Sequence, residues 1–77
     1  MTEPSVTMED MAAFNTGETA RPKLNGWFVH TYEDVNGWEW YLVSVKRRWK
    51  NCAGKKAYPT ERQALAQANR VARRAKA

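Results

Sequence analysis

The sequence predicts an α+β protein: a small antiparallel sheet of two to three strands packed on one C-terminal helix, preceded by a flexible N-terminal tail. Three observations predict it. The stretches WFVHTYE and WEWYLVSV are aromatic and β-branched and flank DVNG, the pattern of two strands around a tight turn. The stretch ALAQANRVARRAKA is rich in helix formers, with apolar residues at helical spacing. Residues 1–26 carry no sustained period of either kind, as expected of a tail. The chain has 77 residues, 43% of them hydrophobic, which bounds it to one domain with a small core.

The elements follow in chain order. Within the acidic 1–26 tail, Thr7 is placed to cap a short helix with Asp10 three residues on, and Met8, Met11, Ala12 and Phe14 would share a side. A helix this short is marginal in water, so a frayed tail is the simpler expectation. Pro22 and Gly26 close the segment. Residues 27–33 form the first strand, and Asp34-Val35-Asn36-Gly37 the hairpin turn, because Asn-Gly accepts the positive φ of tight hairpins. Residues 38–45 form the second strand. A third lies within 47–58, interrupted near Asn51-Cys52-Ala53-Gly54 by a turn or bulge. Thr60 is the expected N-cap of the last helix, with Gln63 completing a capping box. Ala64, Leu65, Ala68, Val71, Ala72 and Ala75 make its inner face, which is mostly alanine, so large core side chains must come from the sheet. Residues 27–77 are thus read as a single β-β-β-α domain.

Strand alternation divides the aromatic residues between two faces. Trp27, Val29 and Thr31 oppose Phe28, His30 and Tyr32; Trp38, Trp40, Leu42 and Ser44 oppose Glu39, Tyr41, Val43 and Val45. Both faces are apolar enough to want cover, and one helix covers only one. The tail, a second chain or a planar ligand such as a nucleobase must meet the other. At least one of the aromatic residues is expected to be exposed, and Trp38, Trp40 and Tyr32 are the expected partner-binding residues.

Charge is distributed unevenly. Residues 1–45 hold two cations against seven carboxylates, a net of −5; residues 46–77 hold eleven against one, a net of +10. An excess of that size is an electrostatic footprint for a polyanion. Lys46, Arg47, Arg48, Lys50, Lys55 and Lys56 cluster around one hairpin end, and Arg62, Arg70, Arg73 and Arg74 line the helix. Trp49 sits within the first cluster, placed to stack on an unpaired base or pack on a sugar. The expected nucleic-acid contacts are Lys46, Arg47, Arg48, Trp49, Lys50, Lys55, Lys56, Arg70, Arg73 and Arg74.

The order of an initial Gly-Trp strand, a hairpin, a third strand and then Tyr58-Pro59-Thr60-Glu61-Arg62-Gln63-Ala64 opening a helix resembles small DNA-binding domains. These are the arm-type-binding domain at the N-terminus of tyrosine recombinases and the plant ethylene-response-factor domain. The resemblance covers residues 26–75. It implies a three-stranded sheet whose exposed face enters the major groove, with Trp38, Trp40, Lys46, Arg48 and Lys50 at the matching positions. The middle of the second strand, WEWYLV, holds one carboxylate and no cation, where such strands place arginine. Phosphate contact from 46–56 is therefore expected ahead of base reading.

Catalytic chemistry has no residue to nominate. One His and one Cys give no metal-ligand spacing, and no Gly-rich phosphate loop follows a strand. No enzyme activity and no cofactor are expected. A lone Cys52 excludes an internal disulfide and fits a reducing compartment. The opening MTEPSVTMEDM lacks the parts of a signal peptide, and no apolar run reaches membrane-spanning length, giving the expectation of a cytoplasmic protein with no membrane partner. The function expected is that of a small nucleic-acid-binding protein, duplex ahead of single strand, of the kind that serves phages or mobile elements as an accessory factor. The alternative is an inhibitor or adaptor that grips a host protein through the aromatic sheet face. A homodimer through the uncovered face is a further option. Deleting the acidic residues 1–24 is expected to tighten polyanion binding.

Overall fold

The computed structural model describes residues 5–17, 21–44, 50–54 and 56–75, with only the backbone described at 50–53. Its elements are α1 (Met8–Asn15), β1 (Lys23–Leu24), β2 (Trp27–Asp34), β3 (Gly37–Ser44), β4 (Lys50–Ala53) and α2 (Glu61–Arg74). The strands form one antiparallel sheet in the order β1-β2-β3-β4, and α2 packs on one face. The α+β class and the C-terminal helix match the sequence expectation. The third strand expected within 47–58 is β4, and β1 is an addition.

The long hairpin pairs Phe28 with Val43 and runs through to Asp34 with Gly37. Its loop is Val35-Asn36, one residue earlier than an Asn-Gly loop would be. The only positive φ here belongs to Gly37, at 123°. Glycine is required at 37 for a second reason. The backbone of Tyr58 bridges Trp38 with two N–H···O bonds of 2.7 Å, and a Cβ on Gly37 would stand 2.7 Å from the Tyr58 carbonyl oxygen. Gly54 serves a similar close approach, because a Cβ there would lie 2.5 Å from the Trp40 indole nitrogen.

The alternation of β2 and β3 decides the core. Trp27, Val29, Trp40 and Leu42 face α2, which meets them with Ala64, Leu65, Ala68 and Ala72. Small helix residues let the axis approach, and the two tryptophans fill the layer. Trp38 and Tyr58 pack on its rim. Both ends of α2 are tied to the sheet. Thr31 Oγ1 donates to the Glu61 carboxylate at 2.9 Å, fixing the first turn on β2. At the far end, Asn25 Nδ2 donates to the Ala72 and Ala75 carbonyls at 3.0 and 3.3 Å, and the Trp27 indole N–H also donates to the Ala75 carbonyl. These groups satisfy carbonyls that a helix C-terminus leaves open. Asn25 and Gly26 both have positive φ, 53° and 87°, so they form the tight turn that folds β1 back on β2.

The N-terminal stretch departs from the expected tail. α1 forms with the Thr7–Asp10 capping box intact, and Val6, Met11 and Leu24 belong to the same core cluster as the sheet. Val6 is clamped to the middle of α2: its N–H donates to Asn69 Oδ1 at 2.9 Å, and Asn69 Nδ2 donates to its carbonyl at 2.8 Å. A boundary after residue 26 therefore separates no tail from the body. Deleting residues 1–24 would remove core side chains and β1 together with the acidic charge, so it does not isolate the electrostatic effect.

Candidate functional site

Two surfaces remain once the core is accounted for, and they lie on opposite sides of the sheet. The first is the outer side of α2. The stripe of Ala64, Leu65, Ala68 and Ala72 that faces the core turns Arg62, Arg70 and Arg74 to solvent, with Arg73 half-buried between them. Arg73 and Arg74 also lie in the last turn, where cations complement the helix dipole.

The second surface is the sheet face that α2 leaves open. Phe28, His30 and Tyr32 of β2 and Tyr41 of β3 share it, with His30 directly opposite Tyr41. The His30 and Tyr41 rings lie 4.9 Å apart at 48°, and the Tyr32 and Tyr41 rings 5.9 Å apart at 52°. The Phe14 ring, arriving from α1, meets His30 edge-on at 6.4 Å. Arg21 is seated between two rings, 5.3 Å from the centroid of Phe14 and 5.6 Å from that of Phe28, and Lys23 lies 5.6 Å from Phe28. The cations are thus held on the rim of an aromatic row.

Charge along this face runs from one sign to the other. Arg21 and Lys23 mark the end where β2 begins. The Ser44–Lys50 pair brings the outer ends of β3 and β4 to that same end. At the opposite end, Asp34 and Glu39 lie on this face near the turn, while Glu33, opposite Trp38, alternates to the other face. A hydrogen bond with Asp34, followed by burial and the Asp34 charge, raises the Glu39 pKa above its ordinary value. The hydroxyl of Tyr32 is likewise raised, by burial first and then by Glu39, Asp34 and Tyr41. Burial, then the neighbouring Arg21, lowers His30, against a smaller opposing effect of Glu61; its ring is offered near neutral pH as an uncharged aromatic.

The expected site residues divide among these places. Arg70 and Arg74 are exposed on α2, with Arg73 beside them. Lys56 is exposed, its Nζ 5.9 Å from the centroid of the Tyr58 ring. Lys50 enters the sheet through its backbone, and Lys46, Arg47, Arg48, Trp49 and Lys55 lie outside the described residues. Tyr32 is 40% exposed on the open face. Trp38 and Trp40 are not on that face. Trp40 is 4% exposed in the core, and Trp38 packs against it. Among the described tryptophans none is exposed; Trp27 and Trp40 are buried in one cluster with α2, and Trp38 packs against that cluster. The exposed aromatic of the set is Tyr32. Phe14, Arg21, Lys23, Phe28 and Tyr41 were not singled out by their sequence pattern. Alternation did place Phe28, His30 and Tyr32 together, and Tyr41 apart from the tryptophans, but it does not say which face a helix covers.

Comparison with protein-family models, curated proteins and solved structures found no match. Among the described residues, no helix is long and apolar enough to cross a membrane.

Proposed function

We propose that this chain is a small non-enzymatic nucleic-acid-binding protein whose main phosphate-contacting surface is the outer face of α2. The observation that carries the reading is the exposure of Arg62, Arg70 and Arg74 on a helix whose other side is committed to the core. Twelve residues separate the first from the last, about 18 Å of helix rise and about five steps of duplex at 3.4 Å each. The segment 46–50 adds four cations among five residues to the positive charge of the chain. Guanidinium groups suit this role because their planar donor forks match phosphate oxygens.

Binding by this route releases counterions, so affinity falls with salt in proportion to the phosphates neutralised. The test is a titration of a random-sequence duplex into the full chain at several salt concentrations. The Arg70→Gln/Arg74→Gln variant is titrated in parallel. Each arginine removed should reduce the log–log salt slope by roughly 1. An unchanged slope would remove α2 from the interface. A protein partner on the open sheet face is the second reading; it rests on exposed Tyr32 with Tyr41 beside it and no longer on Trp38 or Trp40.

A further inference from the structure

The open sheet face carries more than the phosphate reading asks of it. A duplex held by α2 lies on the far side of the sheet from Phe28, His30, Tyr32 and Tyr41. Bases inside a duplex are stacked on one another and offer no free ring face to an aromatic side chain. Four aromatic rings on one strand pair, left outside the core and bordered by seated cations, therefore match a different form of the same polymer.

We propose that this face binds an unpaired nucleobase of a single strand at the Tyr41 ring beside His30, with Arg21 and Lys23, seated on Phe28, taking the adjoining phosphates. The proposal deepens the nucleic-acid reading and rests on it. Its occupant is argued from charge complementarity. Arg21 and Lys23 are held on the Phe28 ring by cation–π contact, so little side-chain freedom is lost when a phosphate arrives. Successive ring positions on one strand face stand about 6.7 Å apart, and Tyr41 fills the space opposite the middle one. The Asp34 and Glu39 end repels phosphate, so the strand crosses the sheet at the cationic end. Tyr32 then supports Tyr41 rather than receiving a base itself.

The test uses fluorescence anisotropy on the full chain with a labelled oligothymidylate, a labelled random duplex and inorganic polyphosphate as a base-free polyanion. Tyr41→Leu keeps apolar bulk and removes the ring; Tyr41→Phe keeps the ring. Tyr41→Leu is expected to weaken oligothymidylate binding by about tenfold, the loss of one stacked base. Duplex and polyphosphate binding should change by less than about twofold, and Tyr41→Phe should bind as the parent does. Exposed Arg21→Gln, which leaves the core untouched, should also weaken the single strand selectively; it keeps the test open if Tyr41→Leu fails to fold. Unchanged oligothymidylate affinity in both variants, or equal losses on all three ligands, overturns the proposal. If the duplex still binds through Arg70 and Arg74, the phosphate reading survives and the open face belongs to a protein or a second copy. If none of the three ligands binds, both readings fall.

Discussion

Replacing Asn69 with alanine separates an N-terminal stretch that belongs to the fold from one that merely lies near it. Asn69 is buried on α2, and its amide closes a two-bond clamp on the backbone of Val6, 63 residues away. If residues 5–15 stay in place in Asn69→Ala, the N–H and carbonyl of Val6 lose their partners in a buried site. Each orphaned group costs about 1–3 kcal/mol. Alanine returns at most about 0.7 kcal/mol through its better helix propensity. The expected net loss is about 1–5 kcal/mol. If the segment lifts away instead, the burial of Val6 and Met11 is forfeited, and each is worth about 1.5–3 kcal/mol at most. The two routes predict similar totals and differ in the denaturant slope. Urea unfolding followed by tryptophan fluorescence should show a lower midpoint at unchanged m if the segment stays, and a lower m as well if it detaches. In a domain of this size, 2 kcal/mol corresponds to a fall in Tm of roughly 8–16 °C. A change below about 0.5 kcal/mol, the scatter of ordinary surface substitutions, would refute the reasoning and return residues 5–15 to the status of a tail.

Two other expectations follow from local geometry. Gly37→Ala should cost more than about 1 kcal/mol, since it combines positive φ with a Cβ against the Tyr58 carbonyl. Gly17→Ala, with positive φ and nothing within 4 Å, should cost less, and equal losses in urea would deny the Trp38–Tyr58 bridge. His30, the chain's one histidine, should titrate by NMR below about 6.5, and Arg21→Gln should raise it. Because its folded pKa is lowered, the unfolded chain binds more protons across that window. Its contribution to stability is therefore present above about pH 6.5 and lost as pH falls through the folded value. A titration at or above 6.5 would contradict the burial and the Arg21 contact.

Much of this fold was legible in the residues. The paired strands around DVNG, the Thr60 cap and the alanine face of α2 all follow from period and turn chemistry that act locally. β1 was missed although Asn25-Gly26 is the same hairpin dipeptide as Asn36-Gly37, because a two-residue strand has no alternation to display. The Val6–Asn69 clamp joins residues 63 apart, and nothing in a helix-period reading marks Asn69 as a ligand for a backbone. The same limit explains the tryptophans. Alternation sorted Trp38 and Trp40 onto one face and Tyr41 onto the other, yet the choice of covered face rests on volume. Two indoles fill the space above Ala64, Ala68 and Ala72, and smaller rings would leave voids there. The aromatic face left open is consequently the less conspicuous one, made of Phe28, His30, Tyr32 and Tyr41.

The central claim is that the outer face of α2 meets phosphates. The most direct test follows duplex binding by tryptophan fluorescence while salt is raised from about 50 to about 200 mM. Four phosphate contacts would give a log–log slope of about −3.6 and a loss of affinity of roughly a hundredfold across that range. In Arg70→Gln/Arg74→Gln the slope should fall to about −1.8. Salt-independent binding, or a slope that ignores the two arginines, would contradict the account.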